Sequence, residues 1–140
     1  MSEIEQEIVK KVKQWMSLAE EDINLATHAL TLGKRSPYRL AAYHAQQCAE
    51  KYLKAFLVYH NTDFPYTHNI RRLLKLCEKH AGWAQSLKDA EVLTPYSITA
   101  RYPGEEEVVT ESEARKAIEI AGRVREEVRN SLHKLGVKLD

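Results

Sequence analysis

Apolar residues return every three or four positions from Ile4 onward: Ile8, Val12, Trp15, Ala19, Ile23, Ala26 and Leu30 descend one face, with Glu5, Lys11, Glu20 and Glu21 between them. That period fits a long amphipathic helix. It excludes a half-buried strand, whose apolar residues would alternate. No segment of the 140-residue chain alternates convincingly at period two, so sheet-based folds are set aside from the start.

Local signals divide the rest. Gly33 stops the first helix, and Ser36-Pro37 reads as an N-cap followed by a first-turn proline, whose missing amide hydrogen costs nothing there. The second helix, Tyr38 to about His60, is apolar on more than one face: Leu40, Ala41, Ala45, Cys48, Ala49, Tyr52, Leu53, Ala55, Phe56, Leu57 and Val58. Such a helix is buried in a core or against a partner. After the turn Asn61–Pro65, Thr67 is placed to cap a third helix carrying Ile70, Leu73, Leu74 and Cys77 and ending near Gly82. A shorter helix, Trp83–Leu93, is closed by Thr94-Pro95, because proline pushes its predecessor out of helical geometry.

The stretch from Thr94 to Val109 has no periodicity and is long for a plain connection, which points to a functional or disordered loop. Thr110-Glu111-Ser112-Glu113 is a capping box, and Ala114, Ala117, Ile118, Ala121, Val124, Val128, Leu132 and Leu135 continue it as a last helix that stops at Gly136. The reading is an all-α, up-and-down bundle of four to five helices, with a long loop before the last helix and one domain over 1–140.

Charge narrows the function classes. The chain holds 21 Lys+Arg against 20 Asp+Glu, too balanced for a general polyanion binder. The balance is uneven along the chain: residues 1–31 carry 3 basic and 6 acidic groups, residues 32–60 carry 5 and 1. Lys34, Arg35 and Arg39 surround the start of the second helix and Arg71-Arg72 that of the third, where cations oppose the helix dipole. Either an anionic ligand or pairing with the acidic first helix would relieve the conflict. Cys48 and Cys77 fall in apolar helical patterns and read as buried free thiols, suiting a reducing cytoplasm. The N-terminus is acidic and lacks the apolar core of a signal peptide, and no window approaches the ~18 apolar residues of a membrane span. A cytoplasmic protein without a membrane segment is expected.

Polar residues within the second helix need partners, because an unpaired buried polar group costs about 1–3 kcal/mol. Tyr43, Gln47, Lys51 and Lys54 fall on one stripe and Gln46 with Glu50 on the next, so a network is expected, either structural or contacting a nucleotide or RNA. His68, two residues beyond Tyr66, stands at the start of the third helix, to bond backbone or to do chemistry. In the long loop, Arg101 is suited to a phosphate and Tyr96 and Tyr102 to stacking, or all three to pinning the loop; Glu105, Glu106 and Glu107 beside them would repel an RNA backbone. The six histidines show no ligand spacing with one another or with the cysteines, and glycine-rich phosphate loops and a serine elbow are missing, so neither metal nor cofactor is expected.

The run Tyr43-His44-Ala45-Gln46-Gln47-Cys48-Ala49-Glu50-Lys51-Tyr52-Leu53-Lys54-Ala55, then Thr67-His68, then Leu93 to Pro103 with its Ala100-Arg101-Tyr102-Pro103, resembles the HEPN domain (higher eukaryotes and prokaryotes nucleotide-binding) over nearly the whole chain. The resemblance implies a helical bundle, usually a homodimer, often encoded beside a minimal nucleotidyltransferase in a toxin–antitoxin-like two-component system. Gln46, Gln47, Glu50, Lys51, His68, Tyr96, Arg101 and Tyr102 are then the candidate ligand-binding residues. Some members are metal-independent endoribonucleases that bring together, across the dimer, an arginine, a polar residue and a histidine separated from the arginine by four to six intervening residues. Here Arg129-Asn130-Ser131-Leu132-His133 has the polar residue but only three intervening positions. Arg39-Leu40-Ala41-Ala42-Tyr43-His44 has the permitted spacing, but an apolar residue follows the arginine and the helix is the wrong one. Arg129 and His133 are the first candidate catalytic pair, Arg39 and His44 the second, and enzymatic activity stays open between a binding module and an RNA-cleaving toxin.

Overall fold

A computed structural model describes residues 1–98, 102–105 and 108–139. Helix α1 (Glu3–Ala29) starts where Ser2 Oγ accepts the Glu5 amide, and it buries Val12, Met16, Ala19, Asp22 and Ala26. A 3₁₀ turn, Leu30–Arg35, continues it past the expected stop, and Gly33 at φ 62° reverses the chain in a conformation that side chains rarely adopt.

Helix α2 (Tyr38–Tyr59) is the centre of the molecule. Alanines at 41, 42, 45, 49 and 55 are fully buried, which lets neighbouring helices approach closely. α1 packs along one side of α2 and the last helix along another, while the third helix and a later 3₁₀ segment cover the remainder; α1 and the last helix meet each other over a much shorter stretch than either meets α2. The nearly all-round apolar character of α2 is therefore answered within the chain, by a central position in the core. Its start differs from expectation: Pro37 itself occupies the cap position, and no side chain caps the helix.

Helix α3 (Ile70–Cys77) is capped by Asn69, whose Oδ1 accepts the Arg72 amide, and not by Thr67. Thr67 Oγ1 instead accepts from the Asn69 amide and shapes the approach. α3 ends at Cys77 rather than near Gly82. The expected helix Trp83–Leu93 is a single turn, α4 (Trp83–Ser86), followed by a 3₁₀ segment, Lys88–Ser97, that runs through Pro95. Proline has the φ a helix needs and sacrifices one donor only, so Thr94-Pro95 does not end the segment. The Thr94 hydroxyl serves α3 instead, accepting the Ile70 amide at 3.1 Å.

Helix α5 (Glu111–Lys134) opens on the complete capping box of Thr110 and Glu113 and buries Ala114, Ala117, Ile120, Ala121, Val124, Val128 and Leu132. The buried side chains of α1, α2, α3 and α5 form one contiguous cluster that includes both cysteines, each a free thiol. Among the described residues no helix is long and apolar enough to cross a membrane.

Candidate functional site

Arg125 and Arg129 lie one turn apart on α5 and face α1, where Lys13, Met16, Ser17 and Glu20 line the opposite wall of a cleft of about 290 Å³. Lys138 and Leu139, beyond the end of α5, complete it. Four cations thus surround one carboxylate. Arg125 grips Glu20 with Nε to Oε2 at 2.7 Å and Nη2 to Oε1 at 2.8 Å, the two-pronged geometry that guanidinium offers to carboxylate and phosphate alike. Beneath them the Tyr52 hydroxyl donates to Glu20 Oε2 at 2.5 Å and receives Arg129 Nη1 at 3.4 Å.

The electrostatics follow from these contacts. The Arg125 hydrogen bond holds the Glu20 carboxyl below its ordinary value against the opposing effect of burial, and the Tyr52 and Arg129 contacts help. Burial first, then Glu20, push the Tyr52 phenol up, so it stays a donor. Burial and the nearby Glu20 and Asp22 charges push the Cys48 thiol up as well, which makes it inert.

A second polar cluster is built from the middle of α2. Glu50 is almost completely buried, yet it accepts from Lys54 Nζ at 2.9 Å, Gln46 Nε2 at 3.1 Å and His68 Nδ1 at 2.8 Å. Gln46 Nε2 also reaches the His68 carbonyl at 3.2 Å, and Gln47 Nε2 donates to Gln46 Oε1 at 2.7 Å. Burial alone would raise the Glu50 carboxyl, but Lys54, His68 and Gln46 reverse it, and the group is held below its ordinary value. Lys54 Nζ lies over the rings of Trp15 and Phe64, 5.6 and 5.7 Å from their centroids, so its charge is shared between a carboxylate and two aromatic faces. Lys54 therefore belongs with Glu50 rather than on the stripe of Gln47 and Lys51.

A third cluster joins α1 to α2. Asp22 accepts from His44 Nδ1 at 2.8 Å and from Lys51 Nζ at 2.5 Å. A carboxylate only accepts, so Nδ1 of each paired histidine carries the donated proton. The His68 side chain is 45% exposed and that of His44 28%, so both rings are partly open to solvent.

The sequence-derived candidates are thus dispersed. Gln46, Gln47, Glu50 and His68 converge on one network, whereas Lys51 faces Asp22. Arg129 enters the cationic cleft, but His133, its proposed partner, is exposed and does not line it. Tyr96 packs against the core, Tyr102 stands 77% exposed, and Arg101 lies outside the described residues. Sequence reading missed Lys13, Glu20, Asp22, Arg125 and Lys138. Only Asp22 carried a usable signal, since it falls on the apolar stripe of Ala19 and Ala26, where a carboxylate needs a partner. Among the described residues no group of three or more His, Cys, Asp and Glu is arranged to hold a metal ion.

The sequence model of the HEPN domain matches residues 12–131. The crystal structure of TT1696 from Thermus thermophilus is similar, with a TM-score of 0.67 and 26% identity over 86% of this chain and 97% of that one. The crystal structure of ST0689, an archaeal HEPN homologue, gives a TM-score of 0.66 and 25% identity over 86% and 96%. No curated protein matches.

Proposed function

The chain belongs to the HEPN domain family, and on that premise we propose that it is a nucleotide-binding interaction module. It acts with a minimal nucleotidyltransferase partner in a toxin–antitoxin-like system. The observation that carries the binding role is the cleft between α1 and α5, where Lys13, Arg125, Arg129 and Lys138 outnumber Glu20. A site of this charge favours an anion, and guanidinium forks suit phosphate oxygens. At about 290 Å³ the cleft is at the lower edge of ligand-pocket sizes, which suits a phosphate chain with the base left outside. Titrating nucleoside triphosphates should raise the melting temperature, and Arg129→Ala should diminish the rise. No shift at saturating nucleotide overturns the binding role.

The module acts as a homodimer. Since α2 is consumed by its own core, the contact between copies falls on exposed apolar groups such as Leu18, Leu25 and Leu32, spaced seven residues apart. A single species of monomer mass in sedimentation at micromolar concentration would refute this.

A second reading, a metal-independent endoribonuclease, is favoured by one observation: Asp22 orients His44 at 2.8 Å, five residues after Arg39. His44 Nε2 would take the proton of a ribose 2′-hydroxyl, the 2′-oxygen would attack phosphorus, and the 5′-oxygen would leave, with Arg39 countering the charge on the phosphoryl oxygens. Cleavage of single-stranded RNA in the presence of EDTA, lost in His44→Ala, is the expected result.

A further inference from the structure

A separate ionisable pair lies where α2 ends and the chain passes from α3 to α4. His60, the residue that closes α2, and His80, three positions beyond α3, are stacked face to face with centroids 4.2 Å apart and planes 9° from parallel. Phe56 meets their rings edge-on at 4.5 and 6.4 Å, and meets Trp83 of α4 at 4.9 Å. His60 Nε2 is buried without a hydrogen-bond partner, whereas His80 Nε2 lies 2.8 Å from Thr62 Oγ1. The Thr62 amide bonds back to the Leu57 carbonyl at 2.9 Å, so the stack joins three pieces: the end of α2, the first residues of the 61–69 loop, and the segment after α3.

His80 is exposed at the surface, whereas Nε2 of His60, beneath it in the stack, is buried. A proton on His60 Nε2 has no acceptor there, and a buried donor left unpaired costs about 1–3 kcal/mol. Charging both rings would set two cations 4.2 Å apart. The groups facing the pair offer no relief. From α2 comes Tyr59, whose hydroxyl donates to the Leu135 carbonyl; from the loop, Thr62; from α4, Trp83. Among the described residues no carboxylate forms an ion pair with either ring.

We infer that the His60–His80 stack is an acid-released latch: while neutral it clamps the start of the 61–69 loop and the α3–α4 corner against α2, and protonation opens that corner. The loop carries Phe64, packed edge-on against Trp15, and His68, bonded to Glu50, so opening at its first residues loosens the cover over the buried Glu50 network. Burial first, and the neighbouring His80 second, hold His60 below its ordinary imidazole value. A histidine depressed in the folded state contributes stability above its unfolded value of about 6.5 and loses it as pH falls through the folded one. The latch is closed at neutral pH and opens in mild acid.

The test compares the whole protein with a His60→Phe/His80→Phe double variant, which keeps stacked rings but removes both protons. Between about pH 7.5 and about pH 5.5, amides of residues 61–64 and 78–84 in the wild type should lose protection by about ten-fold or more, beyond the intrinsic effect of pH on exchange. The double variant should show no such loss. His28, His44, His68 and His133 are common to both proteins and cancel in the comparison. Equal loss of protection in both overturns the latch. Should the double variant not fold, ring-proton titration of the wild type decides alone: a coupled pair with one depressed curve supports the latch, and two independent ordinary curves overturn it.

Discussion

Arg125 on α5 and Glu20 on α1, 105 residues apart in sequence, form two parallel hydrogen bonds at 2.7 and 2.8 Å, and the Tyr52 hydroxyl shares the same carboxylate. Glu20 is the sole negative group among the described residues lining the cleft, and it occupies the Arg125 guanidinium. The four cations of the cleft still outnumber it, so the lining keeps a net positive charge.

Opposite effects on nucleotide affinity follow from the two sides of that pair. Glu20→Gln removes the competitor and should tighten nucleoside triphosphate binding several-fold, whereas Arg129→Ala should weaken it about ten-fold or more, the worth of one hydrogen bond between charged groups. Calorimetric titration measures both. Weaker binding in Glu20→Gln would show that the carboxylate does not compete with the ligand.

Glu50 and Lys54 make a buried ion pair, so removing one member strands the other. Glu50→Ala should destabilise the fold by about 3–5 kcal/mol, while the double change Glu50→Gln/Lys54→Met should recover most of the loss. Denaturant midpoints of the wild type, the single and the double variant provide the comparison.

Acid should unfold the protein through these carboxylates. Glu20 and Glu50 are both held below the ordinary value of 4.5, by the Arg125 hydrogen bond in the first case and, against burial, by Lys54, His68 and Gln46 in the second. Their contribution is complete above that value and is lost as pH falls through the lower folded values. Stability plotted against pH should therefore drop steeply below about pH 4.5, and less steeply in Glu50→Gln, whose side chain has no proton to gain.

If the chain cleaves RNA, the histidine responsible is His44. Asp22→Asn and His44→Ala should each lower cleavage by about 10²-fold or more, because the first misorients the imidazole and the second removes it. His133→Ala should leave the rate unchanged, since His133 is exposed on α5 and does not line the cleft that Arg129 enters. Gel analysis of a labelled single-stranded RNA with EDTA present distinguishes the two assignments.

Some of this architecture needed only local chemistry. The period of Val12, Ala19 and Ala26, the Thr110–Glu113 box and the alanine-rich face of α2 are short-range patterns, and each produced the helix it indicated. Local signals failed where two residues could play one role. Thr67 and Asn69 both make good caps, and the Thr94 hydroxyl on the Ile70 amide helps set where α3 begins, a contact 24 residues away. The Gln46–Glu50 pair was legible for the same reason the helices were, being one turn apart on a helix.

An all-α bundle with a buried, polar-studded helix follows from local order alone, because helical period and i, i+4 spacing are properties of a few consecutive residues. Long-range packing sets the rest: α2 finds its cover within its own chain, Asp22 rather than solvent receives His44 and Lys51, and Lys13, Arg125, Arg129 and Lys138 surround Glu20. Those relationships depend on how α1 and α5 are set across α2. No local pattern records that placement, because it is the outcome of packing the whole core at once.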